Sequence, residues 1–250
     1  MCLHIGMDRH RIGQPVESSM GFRAKDSLAE QIAQHLAEQI VRGDLLEGER
    51  IQELRIAKEL KVSRGSVREA LLLLEQRHLI EIYARRGAIV SELTVQHVRA
   101  LYELFALLVG RLLRHVLQRG QANAVEVLQL QLQRIREALV AGPEEVFADE
   151  VFAFVRLGYR WADNAYLEDV VDDLEPALRR CTFLILHGGQ RAGEALYEGL
   201  RQICELIESG DEVQAVQRAE DMVQGQCEQV VDALLRMKQV ELAWAQRHRR

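Results

Sequence analysis

Apolar residues recur at helical spacing in three short stretches near the start of the chain. Between positions 28 and 40 they return every four residues, which predicts a first helix that Ser27 can cap and Gly43 can end. A second short pattern covers residues 52–60. A third follows Ser63, which can cap it, with apolar residues at spacings of four and three. Because only a tight turn separates the last two patterns, they predict a helix-turn-helix.

The pattern changes to short strands after the third helix. Residues 80–83 and 88–91 are predicted strands. They flank Arg85, Arg86 and Gly87, where glycine permits the positive φ of a tight turn. A hairpin directly after a helix-turn-helix forms a wing, so the first part of the chain is predicted to be a winged helix-turn-helix.

From about residue 94 onward the spacing is helical throughout. Turn-forming residues interrupt it, beginning with Gly120, while Pro143, Asn164 and Asp211 favour helix starts. The resulting segments cover residues 94–118, 122–140, 143–162, 164–187, 191–209 and 211–246. Short links between about six helices favour an antiparallel all-helical bundle, so the predicted fold class is mostly α.

Length and composition allow the chain to bury one or two cores. The chain has 250 residues, of which 48% are apolar. We expect a winged helix over residues 25–93, a helical domain over 94–250, and a disordered tail over 1–24 that lacks the apolar stretch of a secretory signal. The four cysteines are scattered singly, and no run of about 18 apolar residues occurs. These features exclude a disulfide framework and a membrane span, and they predict a cytoplasmic protein.

The charge of the chain is uneven, and its distribution indicates DNA binding. The formal net charge is -6, yet residues 51–90 hold eight arginines and lysines against five glutamates. Arg64 and Arg68 lie one turn apart near the start of the third helix, so both can reach guanine edges in the major groove. No nucleophile–base arrangement, carboxylate pair or phosphate loop stands out. These residues predict a sequence-specific DNA-binding protein rather than an enzyme.

The region from about residue 26 to 93 resembles the winged helix of GntR-type bacterial transcription regulators. The matching pieces are Ile40-x-x-Gly43, Gly48-Glu49-x-Ile51-x-Glu53, Ile56-Ala57, Val62-Ser63-Arg64-x-x-Val67-Arg68-Glu69-Ala70-Leu71, Leu74 and Arg86-Gly87-Ala88-x-Val90. The later helices are similar to the FCD effector domain of such regulators. That similarity depends on Phe154, Asn164, Ile207-x-Ser209-Gly210-Asp211 and Ala215.

The resemblance implies where this chain would contact double-stranded DNA. Arg64 and Arg68 match the family's base-reading arginines, and two serines beside them match contacts to phosphate and groove. Gly87 matches the wing-tip glycine that approaches the minor groove, and the neighbouring arginines are expected to touch phosphate. The expected DNA-binding residues are Ser63, Arg64, Ser66, Arg68, Arg85, Arg86 and Gly87.

The helical half departs from the family at its metal site. FCD domains commonly bind a divalent metal through an aspartate, a histidine four residues later and two further histidines. Those positions carry Val151, Val155, Leu200 and Met222 here, and the family's arginine in the first effector helix falls on Phe105. A metal of this kind needs several convergent oxygen or nitrogen ligands. We therefore expect no metal and no cofactor.

The apolar substitutions have two interpretations. The five positions either line a pocket for a small, largely apolar effector or form plain bundle core. Arg156 and Tyr159 either offer a polar contact to such an effector or simply end an amphipathic helix. Two functions follow: a homodimeric regulator on a palindromic operator whose DNA affinity an effector controls, or an effector-independent regulator whose bundle serves only dimerisation or protein interaction. The sequence does not distinguish repression from activation.

Overall fold

A computed structural model describes residues 27–187 and 189–247. The helices are α1 Leu28–Arg42, α2 Glu53–Glu59, α3 Arg64–Gln76, α4 Val95–Ala141, α5 Glu144–Leu157, α6 Tyr159–Ala162, α7 Ala165–Leu186, α8 Gln190–Ser209 and α9 Glu212–Arg247. The strands are β1 Arg50–Ile51, β2 Ile80–Tyr83 and β3 Gly87–Val90. None of the described helices combines the length and apolarity needed to span a membrane.

The predicted fold is confirmed: it is mostly α, with a winged helix-turn-helix ahead of a helical bundle. The tail predicted over residues 1–24 lies outside the described residues.

The first helices begin and end where the polar residues predict. Ser27 Oγ accepts a hydrogen bond from the Glu30 N–H at 3.1 Å. Gly43 ends α1 in the left-handed conformation, with φ 80°. One buried apolar cluster joins α1, α3 and the wing, so the winged helix has a core of its own. That core includes Ile32, Leu36, Ile40, Val67, Leu71, Leu74, Leu79 and Ile80.

The wing is a three-stranded antiparallel sheet with β3 in the middle. Strands β2 and β3 form the predicted hairpin. Strand β1 pairs with the other edge of β3, with Arg50 opposite Ile89. The sequence pattern does not indicate β1, because two residues are too few to show the alternation of a strand.

The helical half differs from the prediction at Gly120. The pattern predicts a break there, but α4 runs unbroken for 47 residues. The glycine instead makes room for Trp161, since a Cβ at position 120 would lie 2.0 Å from the indole Cδ1. Conversely, the single helix predicted over 143–162 divides at Gly158 into α5 and α6. The predicted helix end at Gly120 is therefore wrong, because this glycine serves side-chain packing rather than a turn.

Helix α4 organises the bundle, since α5, α6, α7, α8 and α9 all contact it. Two buried apolar clusters lie along it, and Val109 packs against both. Asn164 and Asp211 cap α7 and α9 as predicted, by accepting hydrogen bonds from the Leu167 and Gln214 N–H groups at 3.2 and 3.0 Å. The bundle therefore surrounds one long helix with shorter, separately capped ones.

Three cysteines are buried in the bundle as free thiols: Cys181, Cys204 and Cys227. Burial raises the pKa of Cys181 and of Cys204 to about 12. Both thiols therefore stay protonated near neutral pH and pack as small apolar side chains.

Two glycine substitutions test the role of Gly120. Gly225 lies in α9, and no heavy atom comes within 4 Å of the place where its Cβ would stand. Gly225→Ala should raise the free energy of unfolding by about 1 kcal/mol, because alanine favours helix more than glycine does. Gly120→Ala should lower it by about 1–3 kcal/mol, because the new methyl group overlaps Trp161. Denaturant unfolding measures both, and equal stabilisation by the two alanines would contradict the packing role.

Candidate DNA-reading surface and effector cavity

Ser63 sets the start of α3. Its backbone is extended, and its Oγ accepts a hydrogen bond from the Ser66 N–H at 3.0 Å. The hydroxyl groups of the two serines lie 2.9 Å apart. The predicted cap is confirmed, and it determines from which turn of α3 Arg64 and Arg68 project.

Arg64 and Arg68 share one carboxylate. Arg68 Nε donates to Glu53 Oε2 at 2.9 Å, and Arg64 Nη2 lies 3.7 Å from the same oxygen. Both arginine side chains remain well exposed, at 59% and 62%. Glu53 opens α2, so the packing of α2 on α3 brings the three side chains together. The sequence gives Glu53 no role, because spacing along the chain does not reveal a contact between two helices.

The contact with Glu53 leaves Arg68 able to bind a base. Its bond to the carboxylate uses Nε, and the two terminal nitrogens take no part in that bond. Guanine O6 and N7 accept hydrogen bonds from two guanidinium N–H groups. A charge-assisted bond through Nε therefore restrains the guanidinium plane, while the end that can contact guanine stays available.

The wing tip carries three exposed arginines around one glycine. Gly87 has φ 81° and Arg85 has φ 71°, so the turn between β2 and β3 is left-handed at two positions. Arg50 lies beside this turn, with its Nε 3.6 Å from the place where a Cβ of Gly87 would stand. The sequence does not indicate Arg50, because only the pairing of β1 with β3 brings it there. Arg50, Arg85 and Arg86 together make the wing tip basic.

A cavity of about 70 Å³ lies within the helical bundle. Helices α4, α5, α8 and α9 contribute to its wall the five residues that the resemblance aligns with polar positions of the family. Those residues are Phe105, Val151, Val155, Leu200 and Met222. The side chains with polar atoms in the wall are Tyr102, Thr182 and Gln226. Positions far apart in the sequence thus converge on one largely apolar space.

The wall of this cavity does not fit a divalent metal. Val151, Val155 and Leu200 offer no donor atom, and Met222 offers only a thioether, which suits soft metals. Among the described residues, no three histidine, cysteine or carboxylate side chains are placed to share a metal ion. Zinc, nickel or manganese would need several nitrogen, oxygen or thiolate ligands at these positions.

Arg156 and Tyr159 do not line the cavity. Arg156 forms an ion pair with Glu175, and the Tyr159 hydroxyl donates to Asp172 Oδ1 at 2.8 Å. Burial and the bond to Asp172 raise the pKa of Tyr159 above its usual range. The expectation that these two residues offer a polar contact to an effector in the cavity is corrected, because the acidic side chains of α7 engage both.

A winged helix with two exposed arginines, joined to a helical bundle with an internal cavity, defines a two-domain DNA-binding transcription regulator rather than an enzyme. The family model of bacterial regulatory proteins of the gntR family matches residues 28–90. The model of the FCD domain matches residues 100–225, just over half of the chain. The protein belongs to the GntR family of transcription regulators that carry an FCD domain.

Solved structures of regulators share the fold. A transcriptional regulator GntR from Rhodococcus sp. RHA1 has a TM-score of 0.68 at 18% identity, and E. coli McbR/YncC has 0.66 at 19%. Each comparison covers 82% of this chain and 98% of the other. Lar of Listeria monocytogenes controls expression of the agr system, and its structure has a TM-score of 0.57 at 18% identity. This comparison covers 83% of this chain and 98% of the Lar chain. No curated protein matches the sequence.

The apolar wall predicts a protein whose stability is independent of metal. Purified protein should carry no stoichiometric zinc, nickel or manganese, and EDTA should leave the thermal unfolding midpoint unchanged, because only a bound metal links chelation to folding. Elemental analysis and a melting curve with and without EDTA test this. A bound metal at one per chain would show that the ligand positions are wrongly matched.

Proposed function

We propose that the protein is a homodimeric regulator that binds a short palindromic operator in double-stranded DNA, and that a small, largely apolar effector controls its DNA affinity without a metal. The cavity formed by the five apolar positions is the observation that carries the effector part of this proposal. A chromosomal target implies action in the cytoplasm. The two working units would be residues 25–93 and 94–250.

The proposed division of labour on DNA follows the chemistry of each side chain. Arg64 and Arg68 read guanine in the major groove, because they are exposed and one turn apart at the capped start of α3. Ser63 and Ser66 lie at the same helix start, where phosphate oxygens are favoured. The wing-tip residues Arg50, Arg85, Arg86 and Gly87 contact phosphate and the minor groove.

The proposed dimer follows from the small reach of one recognition helix. A single winged helix contacts only a few base pairs, which is too little to select an operator in a chromosome. Two copies related by a two-fold axis double the contacts and require a palindromic site. The helical half is the part of the chain that would hold the two copies together.

The effector class follows from the size and polarity of the cavity. An apolar cavity of about 150 Å³ holds benzene, so a space of about 70 Å³ suits a smaller molecule or one that displaces side chains. An ion would lose its hydration there without a charged partner. The small volume also favours the second candidate function, in which the bundle is packed core and serves only dimerisation or protein interaction.

A thermal-shift experiment separates the two candidates. Phenol and benzyl alcohol are larger than this space and would enter it by displacing side chains of its wall. They should raise the unfolding midpoint, because they bind only the folded state, while benzoate should not. Val155→Phe fills the cavity and should abolish the shift. If neither neutral compound shifts the wild-type protein at millimolar concentration, the effector-independent candidate is favoured.

Substitutions on α2 and α3 test base reading. With an operator selected from random duplexes, Arg64→Ala and Arg68→Ala should each lose about 1–3 kcal/mol of operator binding. Glu53→Gln should bind random DNA more tightly, because a negative charge is lost near phosphate, yet discriminate less, because the arginines are held less firmly. Gel shifts on operator and random duplexes measure both effects.

The matched control is Glu59→Gln, which removes a carboxylate from the same helix. Glu59 pairs with Arg55 at 3.1 Å, so discrimination should stay as in the wild type. An unchanged operator-to-random ratio for Glu53→Gln would contradict the role of Glu53. A duplex carrying half of the palindrome tests the dimer in the same series, since undiminished binding to the half-site would rule it out.

A further inference from the structure

Helix α7 contacts three functional parts of the molecule. Its side chains reach the C-terminal end of α3, the junction between the two domains, and the cavity. Helix α7 packs along α1 of the winged helix. Asp173 and Arg180 make polar contacts with α3 and with the junction, and Leu178 and Thr182 line the cavity. One helix therefore joins the cavity to the element that carries Arg64 and Arg68.

Asp173 contacts the end of α3 through a side chain that is 42% exposed. Its Oδ2 accepts a hydrogen bond from Gln76 Nε2 at 3.2 Å, and its Oδ1 lies 3.9 Å from Arg77 Nε. The Arg77 side chain is only 16% exposed and also pairs with Glu30 of α1. Gln76 is two turns along α3 from Arg68, about 12 Å at the rise of an α-helix. Because a short helix moves as a rigid unit, a shift at Gln76 displaces the arginines that face DNA.

Arg180 holds the junction between the domains. Its Nη1 donates to the Ser91 carbonyl oxygen at 2.9 Å, and its Nη2 donates to Glu47 Oε1 at 2.8 Å. Glu47 Oε1 also accepts from the Leu93 N–H at 3.1 Å. The Arg180 side chain is 10% exposed, and burial lowers its pKa. A buried guanidinium with these partners resists displacement, because breaking the pair would leave a charge desolvated.

Pro176 divides α7 between these contacts. It has no N–H to donate within the helix, so the backbone ladder is interrupted between Asp173 and Leu178. Helices bend at such positions. The half after Pro176 contains Leu178, Arg180 and Thr182, so it can turn about the fixed Arg180 when the content of the cavity changes. The turn changes its angle to the half that carries Asp173.

The other connections between the halves reach α1 rather than α3. Helix α7 itself packs along α1, which in turn packs on α3. Helix α5 reaches α1 through Arg42 and Glu145, which are 4.0 Å apart and exposed, a geometry that contributes little. Arg179, next to Arg180, pairs with Asp149 and Glu175 and lies over the ring of Phe152, which lines the cavity. Asp169, an exposed carboxylate one turn before Asp173 on α7, is therefore the matched control.

We propose that α7 transmits the state of the cavity to the recognition helix, and that Asp173 and Arg180 are the positioning residues of this coupling. The proposal rests on the proposed function in that the cavity must control DNA affinity. A larger occupant moves the Leu178–Thr182 face, the movement tilts α7 at Pro176, and Asp173 carries it to α3. Arg180 sets the pivot by fixing α7 to the junction.

A double-mutant cycle tests the coupling without a known effector. Val151→Leu and Val155→Leu each add one methylene to the cavity from α5 and so imitate an occupant. In an otherwise wild-type chain, each substitution should change the operator dissociation constant by at least about fivefold. That factor is the lower end of the usual range for allosteric coupling. In the Asp173→Asn and Arg180→Met backgrounds this change should fall to less than about twofold. In the Asp169→Asn background, which removes an exposed carboxylate one turn before Asp173, it should persist in full.

The outcomes separate the two levels of the proposal. If the valine substitutions leave operator affinity unchanged in the wild-type background, control by the cavity fails, and the coupling fails with it. If they change the affinity and the change survives in the Asp173 and Arg180 backgrounds, the cavity acts by another route and only the role of α7 is overturned. Should Arg180→Met not fold, Glu47→Gln removes the partner charge instead and must give the same loss of coupling. If Asp173 and Arg180 had only a structural role, their substitution would lower operator affinity equally with and without the added methylene in the cavity.

Discussion

The unbroken course of α4 through Gly120 is the constraint on which the helical half depends. At 1.5 Å per residue its 47 residues form a rod about 70 Å long, and the other bundle helices pack on it. The absence of a Cβ at Gly120 lets the Trp161 indole lie against the helix. That contact offsets the low helix propensity of glycine. The rod then holds Phe105 opposite α5, α8 and α9, so distant positions can wall one cavity.

The chemistry of this cavity follows from what its polar atoms already do. The Thr182 hydroxyl donates to the Leu178 carbonyl oxygen at 3.0 Å, so its hydrogen is used within α7. Tyr102 is almost fully buried, and burial raises its pKa well above the usual value, so its hydroxyl stays neutral. The wall therefore offers apolar area and neutral hydrogen bonds, and a charged group would remain uncompensated there. With Val151, Val155, Leu200 and Met222 in its wall, the cavity offers neither a ligand set for zinc, nickel or manganese nor a charged partner for an ion.

Local features were predictable from the sequence, and contacts between elements were not. The cap at Ser63 and the hairpin before Gly87 depend on neighbouring residues, so their residue types suffice to indicate them. The role of Gly120 and the pairing of Glu53 with the arginines depend on which helices pack together. Arg156 is an intermediate case. The sequence shows its charge, but only the packing of α5 against α7 shows that its partner is Glu175 rather than a ligand in the cavity. The resemblance to a family helped with the cavity, because it placed distant positions in one site before any contact was known.

Carboxylates hold the recognition helix at both ends, and this arrangement bears on how an acidic protein selects its DNA. Phosphate contacts attract arginine to any sequence. In the proposed complex, Glu53 competes with phosphate for Arg64 and Arg68, while its bond to Arg68 Nε leaves the terminal nitrogens of that side chain for guanine. Non-specific binding would have to break the Arg68–Glu53 pair, whereas base reading by Arg68 would retain it, so the carboxylate would favour the operator. Asp173 acts on the same helix from the other domain. Glu53 thus orients the arginine side chains within the winged helix, while the proposed coupling makes the orientation of α3 depend on α7. One surface can therefore be both selective for sequence and subject to control by the cavity.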